Sequence, residues 1–120
     1  MRAMVLSATG SLDHNPAPLK IADTIRPEPG HGEILIEVAV CGVCHTELDE
    51  IEGRTKPPRL PVIPGHEIVG RIAALGAGSK RHDIGDRVGV GWIYSSTGDS
   101  TENLSADFRA TGRDADGGYA

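Results

Sequence analysis

Apolar and polar residues alternate along most of this chain with the period of a β-strand. From Glu33 to Val40 the order Glu-Ile-Leu-Ile-Glu-Val-Ala-Val puts Ile34, Ile36, Val38 and Val40 on one face, and Leu35 and Ala39 make the other face partly apolar. Met1 to Ser7 reads as a first strand. His14-Asn-Pro-Ala-Pro18 then turns the chain into a short return, Leu19 to Asp23. Arg26 to Gly32 holds too many prolines and glycines for either a ladder or a helix. Between Cys44 and Glu52 the period changes. Leu48 and Ile51 stand three apart, Thr46 lies near the N-cap, and Glu47, Asp49 and Glu50 crowd a short helix that Gly53 closes. The loop from Arg54 to Pro64 is stiffened by four prolines. Ile68, Val69, Ile72 and Leu75 mark another strand, Gly76 to Ser79 a turn, and Ile84 to Val90 a further hairpin-and-strand unit. The elements together predict a mostly β fold, an antiparallel, partly open β-barrel with one or two short helices.

Composition sharpens this picture. The 120 residues suit one domain with a modest core, and the sixteen glycines and eight prolines favour a turn-rich β fold over a helix bundle. Only Trp92, Tyr94, Phe108 and Tyr119 are aromatic, so the core rests on Ile, Val, Leu and Ala. A net charge of −5 with no basic cluster argues against nucleic acid as a partner. No apolar run approaches a membrane span and no signal segment opens the chain, so a cytoplasmic location away from membranes is expected. The two cysteines, three apart, do not form a secreted multi-bridge framework.

Candidate chemistry gathers in two stretches. Gly65-His66-Glu67 puts an imidazole and a carboxylate side by side where the chain enters a strand, and a carboxylate beside a His can orient it or share its cation. Upstream lies Cys41-Gly-Val-Cys44-His45-Thr46-Glu47, at the end of the clearest strand. His31 and His82 read as solvated loop residues. Cys41 and Cys44 could make a redox pair or half a zinc knuckle. The first expects a thioredoxin-like setting and the second another cysteine pair, so Cys41 reads best as a buried cysteine that binds nothing.

Cys41-Gly-Val-Cys-His-Thr-Glu-Leu48, Pro61-Val-Ile-Pro-Gly-His-Glu-Ile-Val-Gly70 with Gly76 beyond it, and Gly85-Asp-Arg-Val-Gly89 resemble the zinc-dependent alcohol dehydrogenases. These belong to the medium-chain dehydrogenase/reductase superfamily, and the likeness extends over nearly the whole chain. It implies a GroES-like catalytic domain over residues 1–120, in which zinc polarises an alcohol or aldehyde oxygen while hydride passes to or from NAD or NADP. It further implies that Cys44 and His66 hold the metal, with Glu67 as a neighbouring or alternative ligand and Glu47 on the ligand histidine. Thr46 would take the alcohol proton, His45 would contact the cofactor pyrophosphate, and Trp92 would line the substrate pocket or serve as a half-buried core aromatic.

Four departures qualify the likeness. The family's third zinc ligand lies downstream of Gly117-Gly-Tyr-Ala120, leaving Glu67 or water to take its place. Thr97, Ser100 and Ser105 stand where relatives carry cysteines around a structural zinc. Asp49 occupies the place of a proton-relay histidine. Gly76-Ala-Gly-Ser-Lys-Arg81 and Gly89-Val-Gly-Trp-Ile-Tyr94 both miss the third glycine of a dinucleotide fingerprint, so no Rossmann domain is expected in the chain and the chain alone is expected to be inactive. Two functions therefore stand open. One is the catalytic-domain part of a dehydrogenase. The other is a folded scaffold, engineered or degenerate, with a residual metal site, no turnover and strand edges open to self-association.

Overall fold

The computed structural model describes residues 1–101 and 107–120. Its elements run β1 (Arg2–Leu6), β2 (Leu19–Asp23), β3 (Ile34–Cys41), α1 (His45–Glu52), β4 (Ile68–Leu75), β5 (Arg87–Val90), β6 (Ile93–Ser95) and β7 (Arg109–Ala110). All strand pairs are antiparallel and form three open sheets, β1-β2, β3-β4-β5 and β6-β7. The expected β architecture with a short helix is present.

β3 and β4 form the spine. Their register runs from Ile34 opposite Leu75 to Cys41 opposite Ile68, with irregularities after Leu35 and Val38 that add twist. This pairing sets the end of β3 against the start of β4, where Gly42 N–H donates to the Glu67 carbonyl at 2.9 Å. Gly76 ends β4 against the Gly30 turn, where a Cβ would collide with the Gly30 carbonyl. A core of Leu6, Ile51 and Val62 ties β1 to α1 and the proline-rich loop, and Leu6 and Val62 exchange backbone hydrogen bonds of 2.9 and 3.0 Å.

Two local expectations change. The helix N-cap is Cys44 rather than Thr46, because the Cys44 sulfur accepts the Thr46 N–H at 3.3 Å and Glu47 reaches back to the Cys44 N–H at 2.8 Å. Residues 84–86 form a turn, with Gly85 at positive φ, and the strand begins only at Arg87.

Candidate metal centre

The centre is assembled where β3, α1 and β4 meet. The helix start fixes Cys44 and Glu47 together, and the extended entry to β4 brings in His66. Gly65 makes that entry possible. Its φ is +98°, and a Cβ there would sit 2.8 Å from the Cys41 sulfur and press on the Tyr119 ring. His66 is buried, with Nδ1 2.7 Å from Glu47 Oε1, while Nε2 lies 3.4 Å from Cys44 Sγ. The other Glu47 oxygen accepts the Cys44 N–H, so one carboxylate sets both the helix start and the imidazole. Trp92 covers the ring edge-on, with centroids 4.9 Å apart at 75°.

Cys44, Glu47 and His66 offer ligand atoms that all lie within 4.8 Å of one another, the group of this kind found among the described residues. A thiol sulfur and an imidazole nitrogen aimed at one point form a soft, mixed donor pair that suits zinc. Tetrahedral bonds of about 2.3 and 2.1 Å would set those two atoms about 3.6 Å apart, close to the observed spacing. The Glu47 contact at Nδ1 keeps Nε2 as the atom free to coordinate.

The other candidates surround this group. Thr46 is half-buried in the first helical turn, whereas His45 is exposed beside it. Glu67 is exposed and lies over Gly42, because successive residues of an extended chain point to opposite sides and His66 takes the inward one. Cys41 stands outside the converging group. Burial raises its thiol pKa, and Glu47 and Glu67 add to the effect against a backbone hydrogen bond at Glu67. Asp49 pairs with Arg54 at 2.6 Å on the surface. Thr97 and Ser100 are exposed, and Ser105 lies outside the described residues.

Sequence reasoning missed Glu50. It is 1% exposed on the same helical face as Glu47 and Ile51, and neither carboxyl oxygen has a hydrogen-bond partner. Burial pushes its pKa up to about 8, with the Glu47 charge adding to the rise and Arg113 opposing it. The three-and-four spacing of Glu47, Glu50 and Ile51 was the available signal. Tyr119 was missed too. Its hydroxyl donates to the Gly42 carbonyl at 3.3 Å, and burial, followed by the nearby Glu47, Cys41, Cys44 and Glu67, raises its pKa.

An open β fold carries a Cys–His pair with a carboxylate behind the imidazole, a donor set that could hold a metal ion. Residues 30–120 match the alcohol dehydrogenase GroES-like domain, and the chain belongs to that family. It is 40% identical over 110 residues to an alcohol dehydrogenase of Geobacillus stearothermophilus, spanning 86% of this chain and 33% of that protein. A solved NAD-dependent alcohol dehydrogenase superposes with a TM-score of 0.86 at 28% identity, over all of this chain and 36% of that one. The cobalt- and zinc-bound thermostable alcohol dehydrogenase of Pyrobaculum aerophilum gives a TM-score of 0.83 at 28% identity, over 99% and 37% of the two chains. The chain thus spans about a third of the length of the relatives it matches.

Proposed function

We propose that residues 1–120 are the catalytic-domain portion of a zinc-dependent, NAD(P)-linked alcohol dehydrogenase acting on a small alcohol or aldehyde. The observation that carries this reading is the 3.4 Å approach of Cys44 Sγ to His66 Nε2, with Glu47 holding the far side of the ring. Cys44 and His66 would hold the metal, and exposed Glu67 would be the carboxylate in reserve. When bound, zinc would supply a Lewis acid that polarises the substrate oxygen, and the nicotinamide would exchange the hydride. Glu47 Oε1 stands 2.7 Å behind the ring at Nδ1 and would steady its orientation. Thr46 stands next to the ligand cysteine to accept and pass on the hydroxyl proton. His45, exposed at the helix N-terminus, offers a ring N–H and a helix end to a cofactor pyrophosphate. Trp92 packs against His66 and narrows the approach to the metal for a small substrate. The free thiols of Cys41 and Cys44 suit a reducing cytoplasm. No described helix is long and apolar enough to cross a membrane.

The test is zinc content by elemental analysis after dialysis. The wild-type chain should retain one zinc, and Cys44→Ser and His66→Ala should each lose it. Retention by both variants would exclude this site. A second reading is a metal-binding scaffold without turnover. Turnover of an alcohol by the zinc-loaded chain with NAD or NADP would eliminate it.

A further inference from the structure

We propose that Tyr119 is a positioning residue of the metal centre. Its hydroxyl ties the loop carrying Cys44 to the segment carrying His66 and so sets how the two ligand atoms approach each other. This inference rests on the proposed metal site but concerns a residue outside its donor set.

Residues 117–119 lie as a strap along the entry to His66. Gly117, Gly118 and Tyr119 donate their N–H groups to the carbonyls of Ile63, Gly65 and Pro64 at 2.7, 3.0 and 3.1 Å, and the Tyr119 carbonyl accepts the Met4 N–H at 2.7 Å. The strap comes this close because it opens with two glycines. A Cβ on Gly117 would collide with the Gly65 carbonyl, and one on Gly118 would press on Ile68 and sit 2.9 Å from the Cys41 sulfur. The half-buried Tyr119 ring packs on Gly65, where an added Cβ would lie 2.6 Å from its Cδ1. The residues that lead into His66 are thus fixed to the strap.

From this base the phenol reaches the other arm of the centre. Its hydroxyl donates to the Gly42 carbonyl at 3.3 Å, and the Gly42 N–H donates to the Glu67 carbonyl at 2.9 Å. Gly42 is therefore held through both of its backbone groups, two residues before Cys44. Glu47 joins the two ligands through side-chain contacts, and Tyr119 adds a tie between the backbones that carry them. Without the hydroxyl the carbonyl side of Gly42 is released, and the 3.4 Å approach of Cys44 Sγ to His66 Nε2 loses one of its two supports. At 3.3 Å the bond is long for a hydroxyl donor, so its loss should weaken metal binding rather than abolish it.

The experiment compares Tyr119→Phe with Tyr94→Phe in the full chain. Phenylalanine keeps the ring against Gly65 and removes only the donor, while Tyr94, 48% exposed, controls for loss of a tyrosine hydroxyl elsewhere. Cobalt(II) titration, followed through the thiolate-to-cobalt absorption, reads affinity. The spectrum at saturation reads ligand geometry separately from fold stability. Tyr119→Phe should weaken cobalt binding about three- to ten-fold and shift the saturated spectrum, and Tyr94→Phe should match wild type in both. A wild-type saturated spectrum in Tyr119→Phe overturns the proposal even if affinity or melting temperature falls, because the hydroxyl would then only stabilise the fold. An equal shift in both variants overturns it too. If the wild-type chain takes up no cobalt, the metal reading fails on its own account. The tie is then judged by NMR, from the carbonyl-carbon shift of Gly42 and the ring-nitrogen shifts of His66. Tyr119→Phe should move both and Tyr94→Phe neither, and unmoved shifts in Tyr119→Phe overturn the tie.

Discussion

The helix end of the molecule and the groove beside β3 invert each other's composition. At the helix end, Glu47, Glu50 and His66 are buried polar groups. The groove, about 910 Å³, is walled by half-buried Leu35, Ile36 and Val38 and by buried Val62 and Ile63, with Ile25 93% exposed at its rim. None of Cys44, Glu47 or His66 lines it. Buried polar atoms are the more informative anomaly, because each demands a partner, whereas an exposed isoleucine demands nothing. The larger concavity is therefore the weaker guide to chemistry here.

The contrast can be broken from either side. Leu6→Ala, in the fully buried core beneath α1, should cost about 3 kcal/mol in denaturant melts and would weaken both regions together. A loss below about 1 kcal/mol would mean that the core is looser than its burial indicates. Glu47→Ala should lower zinc affinity by about 10- to 100-fold in competition with a chelator, because His66 loses the group that orients it. Unchanged affinity would relieve Glu47 of that role. Glu50 gives a pH signature. Its folded-state pKa, raised to about 8, lies above that of the unfolded chain, so between about pH 4.5 and 8 the folded form holds a proton that the unfolded form releases. The Glu50 contribution is thus most favourable below that window and declines as pH rises through it. Glu50→Gln should flatten the dependence of melting temperature on pH, and an unaltered slope would count against a buried acid. Ile25→Ser, out in the groove, should change stability by less than about 0.5 kcal/mol.

Much of this was legible in the residue order. The alternation of Ile34, Ile36, Val38 and Val40 located β3 almost to the residue, and the Cys44 and Gly65-His66-Glu67 stretches led to the parts of the centre. The Cys44 cap was hidden because cysteine is not a favoured N-cap residue. It serves here only because Glu47 returns a second bond to its backbone. β6 and β7, three and two residues long, pair with each other and carry too little alternation to register. The burial of Glu50 escaped notice because Leu48 and Ile51 drew attention to a different stripe of the same helix.

The Cys44 sulfur, which caps the helix and is the proposed metal ligand, has a consequence for how the protein can change over generations. Serine at position 44 would still cap the helix, often better than cysteine, while replacing a soft donor with a hard, neutral one. Alanine would forfeit both jobs. Loss of a bound metal through serine would therefore spare the helix cap while removing the stability that the ion adds. A lineage relieved of selection for metal could drift down that path with the helix start still capped.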